Sequence, residues 1–159
     1  MEDIGSLIPS LETLLGKLDL LLRICVMAGP LTLLGLGLYY FLLPPGEANH
    51  SAGYRFAYGM RKVNSWRFMQ RVAGTVYSVL GLVLTVVMAF QCQRLGSMDV
   101  VAMLWFAVKC IFWELVSIVA ASFIINIVVM LVYDSQGNNR AEMRELFKEY
   151  DEEEYIKNL

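Results

Sequence analysis

Residues 72–90 read VAGTVYSVLGLVLTVVMAF, an uncharged and strongly apolar run. Two further apolar runs flank it, at 24–43 and at 100–133. The hydrocarbon core of a bilayer is about 30 Å thick, and about 20 apolar residues cross it as one helix. We therefore predict an all-α integral membrane protein with three transmembrane helices, at about 24–43, 72–90 and 110–133.

The composition agrees with this fold class. The chain has 159 residues, of which 57% are hydrophobic and 18% charged, and a soluble domain of this length carries more charge. The acidic start lacks the basic segment and cleavage site of a signal peptide, so we expect none. Neither the lone His50 nor the cysteines suggest a disulfide, a metal site or a cofactor. The three cysteines are far apart along the chain: Cys25, Cys92 and Cys110.

The flanks of the membrane domain, which we place at 21–133, differ in character. Residues 1–20 carry leucines and isoleucines at helical spacing and predict an amphipathic helix. This helix either lies at the membrane surface or extends the first span. Residues 134–159 form an acidic tail, in which a second short amphipathic helix is predicted by the apolar residues Met143, Leu146, Phe147 and Tyr150.

The charges of the connections predict the orientation. The 44–72 connection has a single acid, Glu47, whereas 91–99 holds only one cation and one acid. Basic residues of short loops stay in the cytoplasm. We expect a multi-pass protein of the bacterial cytoplasmic membrane, with its N-terminus outside and the 44–72 connection and the tail inside. The cations of the first connection are Arg55, Arg61, Lys62, Arg67 and Arg71.

The 44–72 connection is longer than joining two helices requires. One interpretation is a basic anchor for lipid headgroups, with Tyr54, Tyr58 and Trp66 in an aromatic belt at the interface. Another is that much of 60–72 forms an amphipathic helix on the membrane surface. Both interpretations explain the composition, and neither explains the spacing of the polar residues within the connection.

That spacing is specific. Asn49 is followed by Gly53-Tyr54-Arg55, and Trp66 lies eleven residues after Arg55. The pattern, together with Met60 and Gly74, resembles the signature of the SdpI family of bacterial membrane immunity proteins. The resemblance covers roughly residues 24–92. It implies a protein that protects the producing cell from a membrane-acting peptide toxin and, in some members, holds a transcriptional repressor at the membrane.

The chain departs from the family pattern at four positions. Phe56 stands where the family has threonine, Ala57 replaces a proline, Gly59 replaces a serine or threonine, and Gln70 stands where asparagine or histidine is expected. A role that depends on the missing hydroxyl groups is therefore not implied. The N-terminal helix and the acidic tail also resemble additions to the family core.

The motif residues have plausible physical roles. Gly53 permits a positive φ or a close approach of another group, and Asn49 can cap a turn. Arg55 offers five donors to carbonyls, a carboxylate or a lipid phosphate, and we expect Trp66 to anchor the returning helix at the interface. The set forms either a structural clasp between the first two spans or a surface for a partner, and both roles are compatible.

The third apolar run contains Lys109, Glu114 and Asn126. Ionisable residues within a span are costly and usually mark pairing or a pathway. We expect Lys109 to lie at the outer interface. Glu114 would be protonated or paired with Lys109, Arg94 or Arg23. Asn126 would take part in helix packing, as would Gly74, Ser78 and Gly81 on the second span.

Three functions follow as hypotheses. The first is an immunity protein that acts by binding and not by catalysis, with membrane lipids, a peptide toxin and a cytosolic regulator as partners. The second is a small pore or transport component, in which Lys109, Glu114 and Asn126 line a polar path in a homo-oligomer. The third is a membrane-embedded enzyme with a cytoplasmic site at Asn49, Tyr54 and Arg55. No catalytic motif or nucleic-acid partner is indicated.

The orientation can be tested by thiol labelling in a variant without native cysteines. We expect Ser97→Cys to react with a membrane-impermeant reagent added outside intact cells, and Ser51→Cys to remain unlabelled. The physical reason is the excess of cations in the first connection. The opposite pattern of labelling would contradict the predicted orientation.

Overall fold

The computed structural model describes residues 11–48 and 52–157, and this part of the chain is all-helical apart from one isolated bridge between Tyr133 and Asn139. Predictions for residues 1–10 and for Asn49 lie outside the described residues. The four helices are α1 (Leu11–Leu42), α2 (Val63–Leu95), α3 (Val100–Val132) and α4 (Arg140–Lys157).

The first three helices are long and apolar enough to cross a membrane, which confirms three candidate spans. Their apolar windows lie in Thr13–Leu42, Val63–Leu95 and Val100–Val132, with mean hydropathies of 1.9, 2.1 and 2.8. Their outward faces are apolar as well, with Leu21, Phe90 and Phe123 more than half exposed. Lipid chains are the natural cover for such a surface, since soluble proteins rarely expose so much contiguous apolar area.

Each helix is longer than the span predicted for it. Helix α1 runs without interruption from Leu11 and through Pro30, so the described part of the N-terminal segment is an extension of the first span. Helix α2 begins at Val63, and Arg67 and Arg71 therefore belong to this helix. Helices α2 and α3 have 33 residues each. Such helices are roughly 50 Å long and exceed the hydrocarbon core at one end or both.

Glycines bring α1 and α2 into backbone contact, as expected for small residues at a helix interface in a membrane. A Cβ atom on Gly74 would lie 2.6 Å from the backbone nitrogen of Phe41, and one on Gly81 would lie 2.5 Å from that of Leu34. On the opposing helix, a Cβ on Gly37 would lie 2.6 Å from the carbonyl carbon of Tyr77. The expectation that Gly74 and Gly81 serve helix packing is confirmed.

A hydrogen-bonded turn joins α3 to α4. The Asp134 carboxylate accepts the backbone N–H groups of Gln136 at 2.9 Å and of Asn138 at 2.8 Å. Hydrogen bonds from the side chain and backbone of Asn138 hold the pKa of Asp134 below its usual range. Gly137 has φ +79°, and Asn139 accepts the N–H of Ala141 at 3.0 Å as the N-cap of α4.

The two ends of the bundle are clearly separated. At one end, the Lys62 ammonium donates to Asn138, so the start of α2 contacts the turn between α3 and α4. Lys62 therefore forms a contact within the protein, and its role is not limited to attracting lipid headgroups. At the other end, Gly96 approaches Arg23 near the start of α1. The 44–62 connection and the 134–139 turn thus share one end, which is the arrangement that the predicted orientation requires.

The glycine contacts predict an unequal effect of one substitution at two sites. Gly81→Ala places a methyl group against the α1 backbone, and overpacking of this kind costs about 1–3 kcal/mol. Gly35 has no neighbouring atom within 4 Å, so Gly35→Ala is expected to be neutral or slightly stabilising. The melting temperature of each variant in detergent measures the effect of its substitution. Equal melting temperatures for the two variants would contradict backbone contact at Gly81.

Candidate functional site

The connection is held to α2 by the buried side chain of Gln70. Its amide nitrogen donates to the Tyr54 carbonyl at 2.7 Å, and its amide oxygen accepts the Tyr54 N–H at 2.8 Å. Gln70 is fully buried, at 0% exposure. The side chain therefore satisfies both backbone groups of Tyr54 as a neighbouring strand would. This matters because unpaired backbone groups are costly when they are buried.

Trp66 lies directly beneath Gly53. Gly53 has φ +104°, and a Cβ there would lie 2.8 Å from the indole ring. Both predicted reasons for glycine, a positive φ and a close approach, are therefore present. The Trp66 indole N–H donates to the Pro45 carbonyl at 2.7 Å. Trp66 thereby holds the first part of the connection to α2 as well.

The expectation that Trp66 anchors α2 at the membrane interface is wrong. Its side chain is completely buried, at 0% exposure, within a cluster that also contains Met69 and Ala73. A side chain in this position cannot face lipid headgroups. The physical reason is that the connection folds over the indole ring and supplies the carbonyl partner that its N–H needs.

Tyr54 extends the same set of contacts to α3. Its hydroxyl donates to the Asn126 side-chain oxygen at 2.8 Å and lies 3.2 Å from the Ser122 carbonyl. Burial raises the pKa of Tyr54 above its usual value, so the hydroxyl remains protonated and can donate. Asn126 thus contributes to packing, as expected, through a partner in the connection. We call Gly53, Tyr54, Trp66, Gln70 and Asn126 the clasp.

A second tyrosine reinforces the contact with α3. The Tyr77 hydroxyl lies 2.9 Å from the Ser122 hydroxyl, which is itself 2.9 Å from the Ile118 carbonyl. The rings of Tyr54 and Tyr77 meet edge to face, with centroids 5.8 Å apart. The connection, α2 and α3 are therefore joined by a continuous set of polar and aromatic contacts.

The start of α2 is also fixed to the connection. The Ser65 hydroxyl accepts the Lys62 N–H at 3.2 Å and lies within hydrogen-bond distance of the carbonyls of Lys62 and Gly59. Gly59 packs so closely on Met69 that any side chain at position 59 would displace the Met69 side chain. The glycine that departs from the family pattern therefore fits its surroundings here.

A groove of about 650 Å³ opens between α1 and α3, next to the clasp. Helix α1 forms most of its wall, and Tyr54, Tyr77 and Ile118 contribute from the connection, α2 and α3. Arg55 lies at the groove, which Tyr40 of α1 also lines. The Arg55 side chain is exposed and interacts with at least one other group of the chain. The groove is thus mostly apolar, with tyrosines and one cation.

The polar residues predicted within the third span do not lie together. Glu114 is buried at 3% exposure and faces α1, whereas Lys109 is exposed on another side of α3. Of the two alternatives for Glu114, pairing is not seen in this structure, because none of Lys109, Arg94 and Arg23 forms an ion pair with it. Arg23 instead pairs with Asp19 at 2.8 Å. Asn126 lies three turns further along α3, in the clasp.

Five of the predicted residues thus divide between two places. Gly53, Tyr54, Trp66 and Asn126 meet in the clasp, and Arg55 borders the groove. Sequence reasoning did not recognise Gln70 as a partner of Tyr54, sixteen residues away. The available signal was a polar residue on an otherwise apolar helix face, between Trp66 and Ala73.

Together, the three apolar helices and the interior clasp define a multi-pass α-helical membrane protein. No family model matches the chain, and neither a curated protein nor a solved structure matches it. The likeness to the SdpI signature therefore stands on the motif residues alone.

The clasp predicts a large effect of Gln70→Leu. This change leaves the N–H and carbonyl groups of Tyr54 without partners, and each buried unpaired group costs about 1–3 kcal/mol. We expect a clear fall in the melting temperature in detergent. Gln93→Leu makes the same change at an exposed position of α2 and is the matched control. If both variants have the melting temperature of the wild type, Gln70 does not hold the connection.

Proposed function

We propose that the chain is a bacterial membrane immunity protein, which binds a membrane-acting peptide toxin and acts by capture. The observation that carries this proposal is the groove between α1 and α3. Ligand sites are typically concave and mostly apolar, with a few placed polar groups. The groove has this character, and the motif that resembles the SdpI signature borders it.

The chemistry of the groove favours an amphiphilic ligand. Leu33, Leu36 and Ile118 offer an apolar wall, which suits the apolar face of a membrane-bound peptide. Arg55 places a guanidinium group with five donors at the edge of the groove. A carboxylate or carbonyl of the ligand is a suitable additional partner. A peptide dissolved in the bilayer reaches such a groove from the side.

The clasp supports capture in a second way. Gly53 and Tyr54 belong to the groove wall and are held by Trp66, Gln70 and Asn126. A wall that is fixed before binding lowers the cost of ordering it around a ligand. In the proposed function, the spans receive the toxin and the clasp maintains the shape of the site.

A cytosolic regulator remains part of the proposal. In α4, Leu146 and Phe147 are 60% and 62% exposed and lie on adjacent positions of a helix that is rich in charged residues. An amphipathic helix of this kind is a common docking element. Under the predicted orientation it faces the cytoplasm, where it is available to a regulator.

The pore hypothesis is less well supported. It requires Lys109, Glu114 and Asn126 to share a polar path, whereas Lys109 lies on a different face of α3 from Glu114. Asn126 is also engaged by Tyr54. The enzyme hypothesis rests partly on Asn49, which lies outside the described residues. Tyr54, its second residue, has its hydroxyl bonded to Asn126.

The proposed function predicts that filling the groove abolishes protection. Leu36→Trp adds bulk within the groove, so we expect it to lower the survival of a sensitive bacterium exposed to the toxin encoded beside the gene. Val79→Trp adds at least as much bulk to a second apolar groove, between α2 and α3, and should preserve survival. Survival is measured at equal levels of membrane-inserted protein.

Two outcomes would contradict the proposal. If the wild type inserts normally and gives no survival advantage, the immunity function fails and the pore hypothesis becomes the better one. If Leu36→Trp protects as well as Val79→Trp, the groove is not the site of capture.

A further inference from the structure

Glu114 is a buried acid at an interface within the membrane domain. Its side chain is 3% exposed, and Oε1 finds no hydrogen-bond partner within the described part of the chain. The other oxygen lies against Gly29 of α1, where a Cβ atom would be 2.5 Å from Oε2. The carboxyl group therefore occupies the space that the missing side chain of Gly29 leaves between α1 and α3.

The charged and titratable groups around this interface do not neutralise Glu114. On α1, Arg23 is engaged by Asp19, whose Oδ1 is itself buried and without a hydrogen bond. Cys92 on α2 and Cys110 on α3 are buried thiols and carry no positive charge. Lys109 is exposed on another face of α3. Within residues 13–48 and 52–149, no cation forms an ion pair with Glu114.

An ionised carboxylate in these surroundings is expensive. Removing a charge from water without a partner costs several kcal/mol, whether in a protein core or in a membrane. A carboxyl group avoids this cost when it binds a proton and becomes neutral. The neutral group also gains an O–H donor. The geometry of Glu114 thus favours the protonated form without any counter-ion.

The groove gives the carboxyl group a connection to its surroundings. Gly29, on which Glu114 packs, lines the groove, and so does Ile118, which lies one turn from Glu114 on α3. Glu114 therefore packs directly on one of the residues that line the groove. Thr32 lines the groove one turn further along α1 and provides a hydroxyl group on the route.

We propose that Glu114 is a proton-binding site within the membrane domain, and that it is reached through the groove between α1 and α3. This inference does not rest on the immunity function, because it follows from the burial of Glu114 and the shape of its interface. Intramembrane acids of this kind serve as proton relays in other membrane proteins.

Dicyclohexylcarbodiimide provides a direct test on the full chain in liposomes. This apolar reagent adds to a protonated carboxyl group: the carboxyl oxygen bonds to the carbodiimide carbon while the proton moves to its nitrogen. The adduct rearranges to a stable N-acylurea, and all atoms are retained. We expect peptide mass spectrometry to find the adduct on Glu114 of the wild type. The labelling rate should fall as the pH rises, because the ionised form lacks the proton that the addition needs.

Three variants define the site and its route. Glu114→Gln should lose the label completely, whereas Glu142→Gln, on the exposed α4, should keep it. Thr32→Trp narrows the groove and should slow labelling several-fold, and Val79→Trp should leave the rate unchanged. Labelling of the wild type is located by peptide mapping, so the result does not depend on how well Glu114→Gln folds.

Three outcomes would overturn the proposal. Absence of the label on Glu114 of the folded wild type at every pH would contradict a protonated carboxyl group that is reached from the groove. Protection of Glu114 by sodium ions at constant pH would identify a metal-cation site instead. Equal labelling rates in Thr32→Trp and Val79→Trp would exclude the groove as the route.

Discussion

The side-chain amide of Gln70, bonded to both backbone groups of Tyr54, is the contact on which the rest of the connection depends. Chain that leaves helical geometry inside an apolar bundle must find partners for its N–H and carbonyl groups. Gln70 supplies both partners from one position on α2. With Tyr54 fixed there, its hydroxyl reaches Asn126 on α3, and Gly53 lies over Trp66. A connection held in this way is packed onto the bundle through Gly53 and Tyr54.

The three helix interfaces have different chemistry. Helices α1 and α2 meet through backbone contacts at glycines such as Gly74 and Gly81. The α2–α3 interface is joined by tyrosine and serine hydroxyls. The α1–α3 interface contains the groove and the buried Glu114. Both functional proposals therefore concern the least closely packed interface, where a ligand or a proton displaces few existing contacts.

The three membrane helices were predictable from sequence because hydropathy is a property of each segment by itself. The ends of the helices were not predictable in this way. Hydropathy locates the part of a helix that lies in the membrane, whereas the helix itself continues beyond the membrane for as long as its hydrogen bonds and packing allow. The motif spacing indicated Gly53 and Tyr54. Gln70 was missed because its partner is set by tertiary folding. The sequence left Glu114 either protonated or paired, because charge content does not reveal which helix face a side chain occupies.

The close backbone contacts between α1 and α2 have a mechanical consequence. Sliding or rotating one of these helices against the other brings peptide groups into collision at Gly37, Gly74 and Gly81, so the pair behaves as a single rigid body. Helix α3 meets α1 mainly through side chains and an open groove. A tilt of α3 relative to the α1–α2 pair therefore accommodates a change of charge at Glu114, or a ligand in the groove, with the smallest loss of packing.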